Sequence, residues 1–331
     1  MTAKVIATSG ETIIHRVINA NGCDLGIFVG PGIDGVTIVK NVVTGANDHG
    51  IFVQDSTHDN VTSNDVVGNG NLVGTHTCNA VPAPCIAEDK AIQLSGTTWS
   101  SVTHNYVEGN SADGGIGVSD DGVAGDPGAL LPGSNHAAIG NRVEYNYIPN
   151  NDLGCGIVVA AYDPHVGVSD THLVDNTILG LSQQATGGYT GIDVGQIVIA
   201  TDGPATAVVN TWVTGNVIDG SQLPGLVIHA NVPGDIISDT YVNGNSISDN
   251  SGYPTSFSSP NTPSVATGIS IVAEAYGQPM APMIKGTWVI SNTVSNDVDA
   301  IWLCQSSGTM IHYLHTHHVT TWKGTCSAGG H

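Results

Sequence analysis

The chain of 331 residues has only 11% charged residues, and its seven Lys and Arg face 28 Asp and Glu, a formal charge of −21 with its 14 histidines neutral. That sign repels a phosphate backbone, which excludes nucleic acid as a partner, and it opposes polyanionic glycans unless a divalent cation bridges them. No apolar run reaches membrane length, and 43 glycines with many Asn, Thr and Ser leave a surface solvated mainly by neutral polar groups.

A two-part unit recurs along the chain. Its first part is Gly-Ile-x-Val or a close variant: GIFV at Gly26 and again at Gly50, AIQL at Ala91, GIGV at Gly115, GIVV at Gly156, GIDV at Gly191, GLVI at Gly225, GISI at Gly268 and AIWL at Ala300. Its second part is an apolar strand running into Asn, centred on Asn41, Asn64, Asn105, Asn146, Asn176, Asn216, Asn245 and Asn292. The shortest repeat, Gly26 to Gly50, is 24 residues. That is too short for a strand–helix–strand crossover, and it lacks helical periodicity. The spacing therefore predicts coils of short strands, with alternate Val and Ile stacked inward. Asn at one place in eight coils predicts a side-chain amide ladder, with Asn and the leading Gly both serving left-handed turns.

This pattern resembles the pectate-lyase-like superfamily of right-handed parallel β-helices over about Thr12 to Val319. The resemblance implies an all-β, single-stranded solenoid of about ten coils, one domain over residues 1–331, with the C-terminal coil and tail (about 304–331) as a disulfide-linked cap. The repeat is under way by Thr12, so the expectation at the N-terminus is a very short capping strand, another subunit, or a native leader absent from this chain.

Six cysteines are present. Cys78 with Cys85, and Cys304 with Cys326, have the spacing of disulfides, which points to an oxidising, extracellular compartment. Cys23 and Cys155 sit several coils apart and are expected to be free.

Extra length in a solenoid gathers in loops on its edges, where binding surfaces form. One set follows the Gly-Ile-x-Val strand, and carries Asp55, Trp99, Asp120, Asp121, Tyr162, Asp163, His165, His229, Glu274 and Tyr276; Tyr189 precedes the strand of its own coil. Asp120, Asp121 and Asp163 fall on adjacent coils, at the separation of the paired carboxylates of glycosidases, where one donates a proton and the other attacks or activates water. The alternative for each Asp is turn chemistry. Asp120-Asp121 resembles the paired aspartates of the polygalacturonase family, without that family's Gly-His-Gly and Arg-x-Lys elements. Asp163-Pro164-His165 resembles the core of mannuronan C5-epimerases, with Val166 and Ala160 where that motif has an acidic residue and a tyrosine. His312, His315, His317 and His318 form a C-terminal cluster, read either as a transition-metal site or as a polar last coil.

Three function classes stay open. The leading one is a secreted glycoside hydrolase on a neutral or weakly charged polysaccharide, with Asp120 or Asp121 and Asp163 as its catalytic carboxylates and Asp55, Trp99, Tyr189, His229, Glu274 and Tyr276 as sugar contacts. The second is a lyase or epimerase on a uronate polymer, with Tyr162 and His165 moving protons and Ca²⁺ replacing absent basic groups. The third is a non-catalytic glycan-binding or surface solenoid, for instance a homo-oligomeric one. A site is expected on the loop edge around coils four and five.

Overall fold

Each coil of this chain is three short strands, because every apolar run of about three residues is closed by a residue that the strand conformation cannot accommodate. In the computed structural model, which describes residues 2–70, 90–110, 114–120, 136–150, 155–180, 195–201, 203, 205–221, 223–252, 263–274, 282–304 and 306–326, the strands stack into three entirely parallel sheets of a right-handed β-helix. The first sheet runs from Ala3–Ile6 through the Gly-Ile-x-Val strands to Thr321–Thr325, the second from Thr12–Ile14 to Met310–His312, and the third from Val17–Asn19 to His315–His317. Eleven strands in the first sheet and ten in the third give ten complete coils and one additional strand. The chain thus begins with a strand of only four residues.

Inside, the repeat makes columns. Ile27, Ile51, Ile92, Ile116, Ile157, Ile197, Leu226, Ile269 and Ile301 pair in register down the first sheet, each fully buried. Burying one such side chain stabilises by roughly 1.5–3 kcal/mol. One strand departs from the expected pattern. The seventh coil uses Ile197–Thr201, in register with Ile157–Ala161, while the GIDV run at Gly191 lies outside the described residues. Ile197-Val-Ile-Ala is as apolar as its neighbours, so both are acceptable strands by pattern, and register decides.

The asparagine ladder is continuous. From Asn41 to Asn292, each Nδ2 donates to the Oδ1 of the next asparagine at 2.8–3.0 Å and to a main-chain carbonyl in the coil behind. The same Oδ1 atoms accept the preceding asparagine's backbone N–H. Coil length varies from 23 to 47 residues between rungs, yet the rungs hold a constant geometry, because all extra residues leave through loops.

Two details of the turns differ from expectation. The left-handed residue is the one before the asparagine, as at Lys40, Ser63, His104, Tyr145, Asp175 and Ser291; the asparagine itself is extended and supplies the side-chain bonds. Nor are the leading glycines left-handed. A Cβ on Gly156 would meet Ile178 Cγ2 at 2.5 Å and the Gln196 carbonyl at 2.7 Å. The glycine is there for close approach of the next coil, not for a positive φ.

Cys304 and Cys326 form a disulfide across 22 residues, tying the last strand, Thr321–Thr325, to its neighbour Asp299–Cys304. Cys23 and Cys155 are not joined in a disulfide; Cys78 and Cys85 lie outside the described residues. A loop closed at this length is worth about 3 kcal/mol, all of it local to the end of the stack. Reduction should therefore raise amide hydrogen exchange in residues 321–325 by two orders of magnitude or more and leave the strands around Ile157 unchanged.

Candidate functional site

The outer face of the first sheet is unusual for a surface. Its outward positions are nearly all buried, including Phe52, Gln93, Val158, Ala160, Val198, Ala200, Val227 and His229. Phe28 and Phe52 stack at 5.7 Å between ring centroids over coils two and three, with His49 stacked on Phe52 at 4.8 Å. Over coils six to eight the face is a second apolar cluster of Val158, Ala160, Val198, Ala200, Leu223 and Val227, with Tyr162 packed on it.

Between these two stretches lies a hollow. In the outward column Phe52, Gln93, Gly117, Val158, Val198, the fifth coil contributes no side chain. A Cβ on Gly117 would overlap Gln93 Oε1 and meet Lys90 Cγ at 2.9 Å. The space left is a narrow cleft of about 10 Å³, room for one water, lined by Lys90, Gln93, Gly117, Val118, Ser119, Val158, Ala160 and Tyr162. Gln93 Nε2 donates to Ser119 Oγ at 2.9 Å and to the Leu94 carbonyl at 3.2 Å, which holds the amide across two coils and packs it over Gly117. Of these residues Tyr162 is the one that is partly exposed, at the mouth of the cleft.

Tyr162 is positioned by Asp120. The Asp120 carboxylate accepts the backbone N–H of Tyr162 at 2.8 Å and of Gly167 at 2.8 Å, and that of Asp163 at 3.3 Å. Asp163-Pro164-His165-Val166 is a tight turn closed by Val166 N–H on the Asp163 carbonyl, with His165 left-handed at φ 67°. Burial pushes the Asp120 carboxyl up to about 6, opposed by the N–H donors of Tyr162 and Gly167, while the nearby Asp163 adds to the rise. Asp120 is thus fully buried and turned into the backbone of the next coil. This arrangement is that of the turn-chemistry alternative, with Asp120 holding the backbone of Tyr162.

The other expected residues divide. Asp163 is buried at the root of the turn and His165 is exposed at its tip. His229 and Glu274 meet at 3.7 Å, each with 1% of its side chain exposed, and burial pulls the His229 imidazole down against the pull of Glu274. Neither is open to a sugar, which corrects their reading as contacts. Asp55 is paired with His136 at 2.9 Å and is nearly buried. Trp99 is exposed. Asp121, Tyr189 and Tyr276 lie outside the described residues. His315 and His317 share the last strand of the third sheet, and His312 ends the second; among the described residues no three metal-ligating side chains gather.

Three site features escape a reading of linear motifs. Lys90 joins Tyr162 in lining the cleft although they are 72 positions apart, so the cluster does contain a basic group besides Arg142. Gly117 marks the hollow; its signal is the x of Gly-Ile-x-Val, which is glycine in GIGV and in no other of the nine copies. On the second sheet His172, Trp212, Tyr241 and Trp288 stack face to face at 4.4, 5.6 and 4.4 Å. Those rings spend their faces on each other, so the column is a stabilising stack rather than a sugar platform.

No protein-family model matches the chain, and no curated protein is similar to it in sequence. Solved structures share its fold. The surface adhesin PfbA of Streptococcus pneumoniae aligns over 99% of this chain and 74% of its own, with a TM-score of 0.59 at 12% identity. A family 28 exopolygalacturonase of Yersinia enterocolitica aligns over 92% of this chain and 47% of its own, with a TM-score of 0.51 at 11% identity. The chain therefore has the right-handed parallel β-helix fold of these proteins.

Proposed function

We propose that this protein is an extracellular, carbohydrate-active β-helix that binds a neutral or weakly charged glycan along the loop edge at Tyr162. The observation that supports this reading is the half-buried Tyr162 at the mouth of the cleft beside Gly117, held in place by Asp120. A pyranose presents an apolar C–H face, which an aromatic side chain complements. The charge of −21 favours a neutral glycan over a polyanion. In this reading the chemistry is hydrolysis of a glycosidic bond, with Asp163, next to Tyr162 in the chain and buried at the root of the turn, as the carboxyl to test and Asp120 holding the turn.

Lys90 beside Tyr162 favours a second reading. An ammonium pairs with a uronate carboxylate and a phenol moves a proton, which is the equipment for elimination or epimerisation. One product screen separates the two. The protein is incubated with neutral and uronic polysaccharides, with and without chelator, and products are followed by reducing ends and by the ultraviolet absorbance of unsaturated sugars. Reducing ends from a neutral glycan, lost in Asp163→Asn and reduced at least tenfold in Tyr162→Ala, support hydrolysis. Unsaturated or epimerised uronates support the second reading. Binding without products would leave a glycan-binding solenoid, and unaltered binding in Tyr162→Ala would remove Tyr162 from the account.

A further inference from the structure

Trp99 is set differently from the stacked aromatics of the second sheet. It stands at the turn between the first and second sheets, left-handed at φ 54°, in the coil before Gly140, which is left-handed at φ 70°. A Cβ on Gly140 would overlap Cε3 of the indole and lie 2.8 Å from Cδ2. The ring thus rests on bare backbone, where any side chain at position 140 would displace it. Trp99 remains 59% exposed, and among the described residues no other ring stacks on it. An indole laid against a glycine with its outer surface open is a preformed platform: the turn and the missing Cβ fix it before any ligand arrives.

The platform is on the same edge as Tyr162. Trp99 follows strand Ile92–Ser95, which carries Gln93, and Tyr162 follows Cys155–Ala161, two coils further along the same sheet. At the spacing of parallel strands, two coils are about 10 Å. That distance runs along the axis of the stack, and the intervening coil is the one that supplies Gly117 and Gly140, so a glycan running along this edge from Tyr162 passes toward Trp99.

We propose that Trp99 is a second, outlying sugar subsite, on which a neutral pyranose of the same glycan stacks its C–H face, and that Gly140 is the positioning residue that lays the indole flat. This rests on the Tyr162 reading above and adds to it a direction and a minimum ligand length.

The test measures affinity by calorimetry for gluco-, xylo- and manno-oligosaccharides from monosaccharide to hexasaccharide, on the parent, Trp99→Ala, Trp99→Phe, Gly140→Ala and the double variant, with folding checked by circular dichroism. The expected result is that Trp99→Ala weakens the longer ligands about tenfold, leaves the shortest binding ligand unchanged, and is rescued by Trp99→Phe. Gly140→Ala should show the same length-dependent loss, and the double variant should be no worse than Trp99→Ala, since Gly140 acts through the ring. Equal affinities of Trp99→Ala and parent for all lengths would overturn the subsite and leave the Tyr162 site standing. An equal loss at all lengths would also overturn it, as would additive effects of the two substitutions for Gly140's role. Failure of every ligand to bind the parent would sink the Tyr162 site and the subsite together.

Discussion

Asn176→Ala should destabilise the protein by about 4 kcal/mol, measured as the shift in urea midpoint at constant slope. Asn176 sits in the middle of the ladder and is fully buried. Its Oδ1 accepts the backbone N–H and the Nδ2 of Asn146, each at 3.0 Å, while its Nδ2 donates to the Val143 carbonyl at 2.8 Å and to Asn216 Oδ1 at 3.0 Å. Alanine removes all four bonds; Asn216 Oδ1 keeps the backbone N–H of residue 176 and Asn146 Nδ2 keeps the Val102 carbonyl, while the Asn146 N–H and the Val143 carbonyl lose their asparagine partner, at about 1–3 kcal/mol each if nothing replaces it. Asn176→Asp keeps the acceptors but loses both donors and buries a charge, so it should be no milder. Asn60 is the control: it is only half-buried and its side chain accepts a single bond from Ser101 Oγ. Asn60→Ala should cost less than about 1 kcal/mol. A solenoid can melt in parts, so hydrogen exchange should locate the Asn176→Ala loss in the coils on either side of position 176. A cost below 1 kcal/mol would mean that the ladder follows the coils rather than holding them.

The second large effect is at Asp120. Removing its carboxylate in Asp120→Ala frees the N–H groups of Tyr162, Asp163 and Gly167, and should cost about 2–3 kcal/mol. It should also abolish glycan affinity, because Tyr162 loses the bond that places it at the mouth of the cleft. The pH dependence has a definite sign. The Asp120 carboxyl stands at about 6 in the folded chain against 3.8 for an ordinary aspartate, raised chiefly by burial, and Asp297 is raised to about 6 for the same reason. A carboxyl raised on folding contributes stability that is complete below its unfolded value and is lost as pH rises through its folded value. The parent should therefore lose stability between about pH 4 and pH 6, by an amount on the order of 2 kcal/mol from Asp120. In Asp120→Asn that slope should flatten, leaving the part due to Asp297 and to Asp59, Asp235 and Asp299, which burial also raises. An unchanged slope in Asp120→Asn would show that this carboxyl is not the group titrating.

How far the sequence carries the account can be judged residue by residue. Val and Ile at alternate positions and Asn at one place in eight coils are repeated signals of a single geometry, and the fold follows from them. The role of the leading glycines does not, because close approach of the next coil and a positive φ both select glycine, and only coordinates separate them. The same ambiguity lies behind GIDV at Gly191: register chose Ile197–Thr201, and register is a property of stacked coils rather than of a local run. For the candidate site, the uneven loops after the Gly-Ile-x-Val strand direct attention to that edge. They do not assign roles. Asp120 looks like a catalytic carboxylate in one dimension and is a backbone anchor in three, because its partners arrive from the following coil. Lys90 belongs to the cleft only through that same stacking. Gly117 was the signal available and overlooked, an outward-facing glycine where the neighbouring coils carry Phe52, Gln93, Val158 and Val198.

The most direct test of the central claim is a crystal structure of the protein soaked with the longest neutral oligosaccharide that binds in solution. The account predicts a pyranose ring against Tyr162 on the loop edge, at the mouth of the cleft beside Gly117, with the chain extending toward Trp99. A sugar bound elsewhere, with Tyr162 uncontacted, would contradict it.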